Sequence, residues 1–360
     1  MSNGGNISRN LADRWVREAP VYLVSAALLW WCIAILTSRG VEFEAAPILA
    51  NANLFALSAA IMLAGWAGRE LVLAKPRSPL AHLSEQAKRQ TPALAGALPM
   101  LALLVVLMPF FSKAKAAIPL FGPYDWDASF IAWDRALFFG HDAWEVLQPL
   151  LGYPAVTALL ALLYQAWFLL LFVGTLCLAF LPAAAKIRRQ FFMTYVLAWT
   201  IVGGLMATWL ASVGPCFLEP LQGNATFAPQ MAYLESANAE FPVMTLQVQQ
   251  MLLDWHAADA DGLGSGITAM PSMHVAIAFL FYLATRRISQ PAGRWFAAFF
   301  GVTWLSSVHL AYHYAVDGLV SVIAVAALWK VSGALLAGWD RLLDGSSAQP
   351  TLRTKTVPAE

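Results

Sequence analysis

Residues 264–279 read GSGITAMPSMHVAIAF, and after some twenty-five mostly apolar positions residues 306–318 read SSVHLAYHYAVDG. Two histidines, His274 and His313, each stand at the mouth of an apolar run, and Asp317 follows the second by four residues. Titratable groups held at the edge of membrane helices are costly, and they mark function. The rest of the chain reads as the frame that brings them together.

Composition fixes the class of that frame. Of 360 residues, 59% are hydrophobic and only 12% charged, about half the charged share of an average soluble domain. This is the composition of a polytopic membrane protein. A net charge of +1 says nothing about nucleic acid, and with no basic, aromatic-interleaved patch no nucleic-acid partner is expected. Cys32 and Cys177 fall inside apolar runs and Cys216 lies near a loop, which argues against a disulfide framework.

Runs long enough to span a bilayer lie near 20–38, 49–67, 93–111, 153–181, 191–213, 272–285, 295–312 and 317–338. The expectation is an all-α bundle of about eight transmembrane helices. The first run follows Arg9, Arg14 and Arg17 as a signal peptide would, but it is long, carries Trp30 and Trp31 and lacks a clear cleavage site, so it reads as a retained helix. Cations cluster before the first run, between the second and third, fourth and fifth, and sixth and seventh, and after the eighth. With eight spans all of these fall on one face, which the positive-inside rule makes cytoplasmic, with both termini. The expected location is the inner membrane of a bacterium, with the chemistry on the periplasmic side. Three parts follow: N-terminal helices and a cytoplasmic loop over 1–92, a catalytic membrane domain over 93–340, and a disordered cytoplasmic tail over 341–360.

The opposite face gathers the loop near Val41, the segment 112–152, the long loop 214–271 and the turn around His313. Between Arg189 and Arg286 there is no Lys or Arg, while Glu219, Glu235, Glu240, Asp254, Asp259 and Asp261 make the long loop acidic. The segment 112–152 is too polar to span. Phe130, Ile131, Leu137 and Phe138 with Trp126, Trp133 and Trp144 predict an amphipathic helix lying at the outer interface. Lys113, Lys115 and Arg135 are the main cations there, serving either interfacial anchoring or a substrate headgroup. Asp134 beside Arg135 reads as a local ion pair.

A helical H-x-x-x-D puts His313 and Asp317 on one face a turn apart. The carboxylate then fixes one imidazole nitrogen and leaves the other free to attack, the orienter–base logic of a triad moved onto a histidine nucleophile. A satisfied structural pair has the same spacing. The second element, Pro271-Ser272-Met273-His274 after Gly264-Ser265-Gly266, has the residues of a helix start. A helix N-terminus offers free amides to an anion, phosphate or carboxylate, and His274 beside it is placed to protonate a leaving oxygen.

PSMH followed by HYAVD resembles the second and third motifs of the type 2 phosphatidic acid phosphatase superfamily. Within it, the chain is most similar to the branch of inositol phosphorylceramide synthase and its bacterial relatives. That branch also has a GP-containing segment, here Ser212 to Cys216, and an Asp-rich segment, here Asp127 to Gly140. The likeness spans about Asp125 to Gly338. It implies a six-helix catalytic core, His313 as the nucleophile forming a phosphohistidine, Asp317 as its partner and His274 as general acid. Ser272 and nearby amides, Gly266 among them, would hold phosphate oxygens, with no metal and no cofactor. The implied partners are the bilayer and a lipid phosphate or phospholipid, and the chemistry is hydrolysis of a lipid phosphate or transfer of a phosphoryl headgroup to another alcohol.

Two departures bear on the substrate. The superfamily's first motif, a Lys and an Arg-Pro near the end of the helix before the long loop, has no counterpart there, and the Arg expected six residues before the nucleophile is Ser307. A dianion in a low-dielectric site needs countercharge, so the phosphodiester of a headgroup transfer is favoured over a monoester, with Arg135 or Lys113 folding over as the cation. His309, one turn before His313, completes H-x-x-x-H-x-x-x-D; a substrate or packing role is favoured over a metal ligand. His141 and His256 are expected to be solvated, and Gly203-Gly204 to be a helix-packing device. A non-covalent lipid or proton-coupled transporter is the alternative of another class, against which stand the absence of an inverted repeat and the clustering of titratable groups at one interface.

Overall fold

The computed structural model describes residues 2–258, 260, 262 and 264–346. Asp259, Asp261 and residues 347–360 of the expected tail lie outside the described residues; positions 341–346 are helical. Among the described residues there are helices and no strands.

All eight expected runs are helices. They are α1 Ser2–Ser38, α2 Ala46–Ala74, α3 Pro79–Ala116, α6 Pro154–Phe180, α7 Arg188–Trp209, α11 Met273–Ile288, α12 Gln290–His309 and α13 Ala315–Ser346. Between them lie α4 Asp127–Leu137, α5 Ala143–Leu151, α8 Pro215–Gln222, α9 Ala228–Glu240 and α10 Met244–Ala257. Among the described residues, six helices can cross a membrane by length and composition: α1 from Leu11, α2, α3, α6, α7 and α13 to Gly345. The remaining two differ for a physical reason. The 16 residues of α11 reach about 24 Å, less than the hydrocarbon thickness, and α12 carries Gln290, Arg294, Ser306, Ser307 and His309. They pack as an antiparallel pair, with α11 buried along most of its length, so the surroundings of α11 are mainly protein.

The centre of the bundle is aromatic. Phe191, Phe192 and Tyr195 of α7 meet Ile277 and Phe281 of α11. Gly203 belongs to that contact, since a Cβ there would lie 2.6 Å from Phe111 and 2.9 Å from Met273, whereas Gly204 meets only Trp199 O at 3.7 Å. Helices α1 to α3 turn large apolar side chains outward, Trp30, Leu57 and Leu63 among them. Pro109 in α3 has no N–H for the Val105 carbonyl one turn back. Asn51 of α2, fully buried, donates from Nδ2 to Val105 O at 2.7 Å and so ties α2 to α3.

One end of the bundle is closed by charge. Arg189 makes a two-pronged pair with Asp340 at 2.8 and 2.7 Å, Arg17 reaches Asp340 and Asp344, and Trp339 donates to Val16 O. The start of α13 lies some 25 residues, about 37 Å, from that cluster. The turn bearing His313 is therefore at the other end.

At that end the long loop 214–271 is folded: α8, α9 and α10 pack onto α6 and against the His313 turn. Helix α4 is amphipathic as expected. Its Asp127, Phe130, Ile131 and Asp134 are buried at helical spacing, while Trp133 and Leu137 are exposed.

Candidate active site

His313 does not sit in a helix. It lies in the turn between α12 and α13, where the N–H groups of both Tyr312 and His313 donate to Ser307 O at 3.1 Å. Ala311 occupies the left-handed region at φ +61, unusual for a residue with a Cβ. Ser307, where the resembled motif has Arg, is buried; its hydroxyl donates to Trp304 O at 2.7 Å, so it shapes this turn.

From the turn, His313 Nδ1 meets Asp317 Oδ2 at 3.0 Å. The same oxygen accepts from Tyr314 N at 3.1 Å. An acceptor on that side places the ring proton on Nδ1, so that Nε2 carries the lone pair. Burial, helped by the nearby Lys115 charge, holds His313 down to a pKa of about 3, against the Ala269 backbone group that favours its charged form. The imidazole is thus neutral, as a nucleophile must be.

Two aspartates of α4 clamp the turn. Asp134 spans the first amides of α13, accepting from Ala315 N at 2.7 Å and Val316 N at 2.9 Å. Asp127 accepts from Val213 N, Gly214 N and Gln222 Nε2 at 2.9–3.0 Å and from Tyr314 OH at 2.8 Å. Together they fix the N-terminus of α13 and with it the angle of Asp317. Asp134 is therefore a helix cap and not the partner of Arg135. That arginine pairs with Asp142 at 2.7 and 3.0 Å instead.

The second histidine enters from α11. Ser272 caps that helix through Oγ, accepting from Val275 N at 3.5 Å. The His274 ring stacks on Tyr164 at 4.3 Å and lies over Trp167 at 4.0 Å, while its carbonyl accepts from Trp167 Nε1 at 3.0 Å. Burial first, then the His313 and Lys115 charges, hold the His274 pKa well below its ordinary value, so an imidazolium there needs the charge of a bound anion beside it.

His274 and His313 line one cavity of about 310 Å³, with Lys115, Gly266, Thr268 and Tyr312 at its polar end. Most of the remaining lining is apolar, Leu54 of α2, Phe172 of α6 and Met251 of α10 among it, with Asn51 and Gln165 as polar exceptions. Lys115 is the cation that the sequence reading did not single out. Its charge acts on both histidines. Gly266 presses against the end of α3 at φ +87, where a Cβ would stand 2.6 Å from Ala116 N and 2.7 Å from Lys115 C. Gly264 N donates to Ser112 Oγ at 2.8 Å, a second tie between this loop and α3. Lys115 stands in the last turn of α3, and Gly122-Pro123 follows it.

The other expected residues fall elsewhere. Lys113 lines a separate surface cavity with Phe43, Glu44 and Pro109. Arg135 is held by Asp142 and does not line the cavity. Ser272 is fully buried, its hydroxyl occupied by the cap. His309 points away from His313, meeting Thr157 Oγ1 at 2.9 Å beside Tyr233. The H-x-x-x-H-x-x-x-D side chains do not converge, and no group of three His, Cys, Asp or Glu among the described residues could hold a metal ion. His141 and His256 are exposed.

A family model described as the PAP2 superfamily matches residues 128–331, more than half of the chain. The match includes both histidines, Asp317 and α4 from its second residue, and it leaves α1 to α3 outside. The chain belongs to the PAP2 superfamily. No curated protein and no solved structure matches it.

Proposed function

We propose that the protein is a metal-independent phosphotransferase, most like one that transfers an inositol phosphate. It would pass the phosphoryl headgroup of a membrane phosphodiester to a lipid alcohol, at the outer face, through a phosphohistidine. The observation that carries the reading is the convergence of His313, its Asp317 partner, His274 and Lys115 on one cavity whose other walls are mostly apolar. One half-buried cation balances the single charge of a phosphodiester better than the dianion of a monoester. Apolar walls favour a lipid alcohol over water as the acceptor.

Each half-reaction then has a place. His313 Nε2 attacks phosphorus, and the bond from phosphorus to the departing lipid oxygen breaks as that oxygen takes the His274 proton. Asp317 holds the Nδ1 proton and stabilises the charge that forms on the ring. The acceptor alcohol next returns a proton to the now neutral His274 while its oxygen displaces His313 from phosphorus, restoring the neutral His313 ring and the protonated His274. Lys115 stabilises the developing phosphorane charge throughout.

The test is a headgroup panel on purified protein in EDTA: phosphatidic acid, undecaprenyl pyrophosphate and phosphatidylinositol as donors, with ceramide, diacylglycerol or water as acceptor. Transfer from phosphatidylinositol to a lipid alcohol supports the proposal. Phosphate release from monoesters alone reassigns the protein as a lipid phosphate phosphatase, and a metal requirement removes the mechanism.

A further inference from the structure

A second cavity of about 310 Å³ lies on the far side of the last turns of α3, between α1, α3 and α7. Its lining is almost wholly apolar, with Cys32 and Leu36 from α1, Phe121 after α3 and Leu205 from α7. It is divided from the catalytic cavity by Phe111 and Trp199, whose rings meet edge to face at 4.4 Å and line both spaces.

Beside the Phe121 wall of this groove stands a cation. Arg39, directly after α1, lies over the Phe121 ring at 5.1 Å and donates to Leu120 O at 3.3 Å. Two contacts hold its guanidinium beside a side chain that is itself a groove wall, while the residue stays exposed. Arg39 stands at the end of α1 opposite Arg17, on the side of the His313 turn, against the general run of cations toward the other end. A hydrocarbon slot under a fixed guanidinium has the two parts that an anionic amphiphile needs: a place for the chain and a donor fork for a phosphate oxygen.

We propose that this groove seats one chain of an anionic phospholipid, its phosphate beneath Arg39, as a lipid site distinct from the catalytic cavity. The site is built mainly by α1 and the end of α3, which lie outside the family match. It does not depend on the phosphotransfer reading. The occupant would brace the Phe111–Trp199 partition from behind, and through Trp199 the Trp167 ring that lies over His274.

Cys32, half-buried in the groove wall, supplies a readout that needs no activity. The purified full-length protein in neutral detergent is treated with an apolar maleimide, and labelling of the Cys32 peptide is timed by mass spectrometry. Phosphatidylglycerol, phosphatidylcholine or no lipid is added in parallel. Phosphatidylglycerol is expected to slow Cys32 labelling at concentrations where phosphatidylcholine does not. Arg39→Gln is expected to raise the half-protecting concentration about fivefold, the share of one interfacial cation. Cys177, on α6 and away from this groove, serves as the internal control. Leu205→Trp, filling the groove from an exposed position, should abolish the difference between the two lipids; native mass spectrometry of retained phosphatidylglycerol gives the same comparison if that variant expresses poorly. Equal protection by both lipids would mean only ordinary annular lipid and would overturn the proposal, as would no protection by either or an unchanged half-protecting concentration in Arg39→Gln.

Discussion

Lys115→Met separates the account from its nearest competitors. The substitution keeps a long apolar stem at the end of α3 and removes the one charge that lines the cavity with both histidines. A unit charge about 4 Å from a phosphate oxygen, at an effective dielectric near 20, is worth about 4 kcal/mol. Loss of one partner of a desolvated charge pair costs about 2–5 kcal/mol. At about 1.4 kcal/mol per factor of ten, kcat/KM should fall between about thirtyfold and a few thousandfold. A second effect follows from position. The Lys115 charge helps to hold His313 near a pKa of about 3, so without it the protonated ring gains ground and the acid limb of kcat/KM should move to higher pH. The assay is headgroup transfer in mixed micelles across pH, with Lys113→Met and Arg135→Gln in parallel. Both controls should stay within about twofold of wild type, the usual range for changes away from a buried feature. The reasoning is refuted if Lys115→Met also stays within that range, or if the loss falls on Lys113 or Arg135.

Other outcomes follow from the clamp and the turn. Asp134→Ala strips two amides of their acceptor and should lower stability by about 1–3 kcal/mol, seen as a lower melting temperature with a fall in kcat. Asp134 also titrates unusually: burial first, then the Asp317 and Asp142 charges, raise its pKa to about 6. A folded pKa above the unfolded one gives stability that is present below about 4 and lost as pH rises through 6; Asp134→Asn should flatten thermal stability in that window, measured by scanning fluorimetry. Gly214→Ala puts a Cβ 2.7 Å from Tyr312 O in a backbone at φ +87, so it should displace the His313 turn and abolish transfer even where the variant still folds by circular dichroism. His309→Gln keeps a polar partner for Thr157 and should leave the pH profile of kcat unchanged, whereas a catalytic His309 would shift it.

The helices and the two histidines were legible because each is a local signal: an apolar run of spanning length, or a titratable residue at its end. What joins them was not. Lys113 and Lys115 are two residues apart on one helix, so they point about 200° from each other, and only the packing of Gly266 on the α3 backbone shows which one meets the histidines. Asp134 stands next to Arg135, and adjacency made a local pair the economical reading; its partners are two amides some 180 positions further on. The long acidic loop read as a loop because its apolar residues are spread over three short helices that bury them against α6 and the His313 turn. His309 misled through regular spacing: helix α12 ends on it, and the break that follows turns His313 another way.

The central claim is that phosphorus is carried on His313, and it can be tested by trapping. Turnover of a donor lipid labelled in its phosphate is quenched in base, and the label is mapped by peptide mass spectrometry. The account predicts an acid-labile, base-stable phosphate on the peptide holding His313, absent from His313→Ala, which should be inactive. A label elsewhere, or full turnover by His313→Ala, would contradict it.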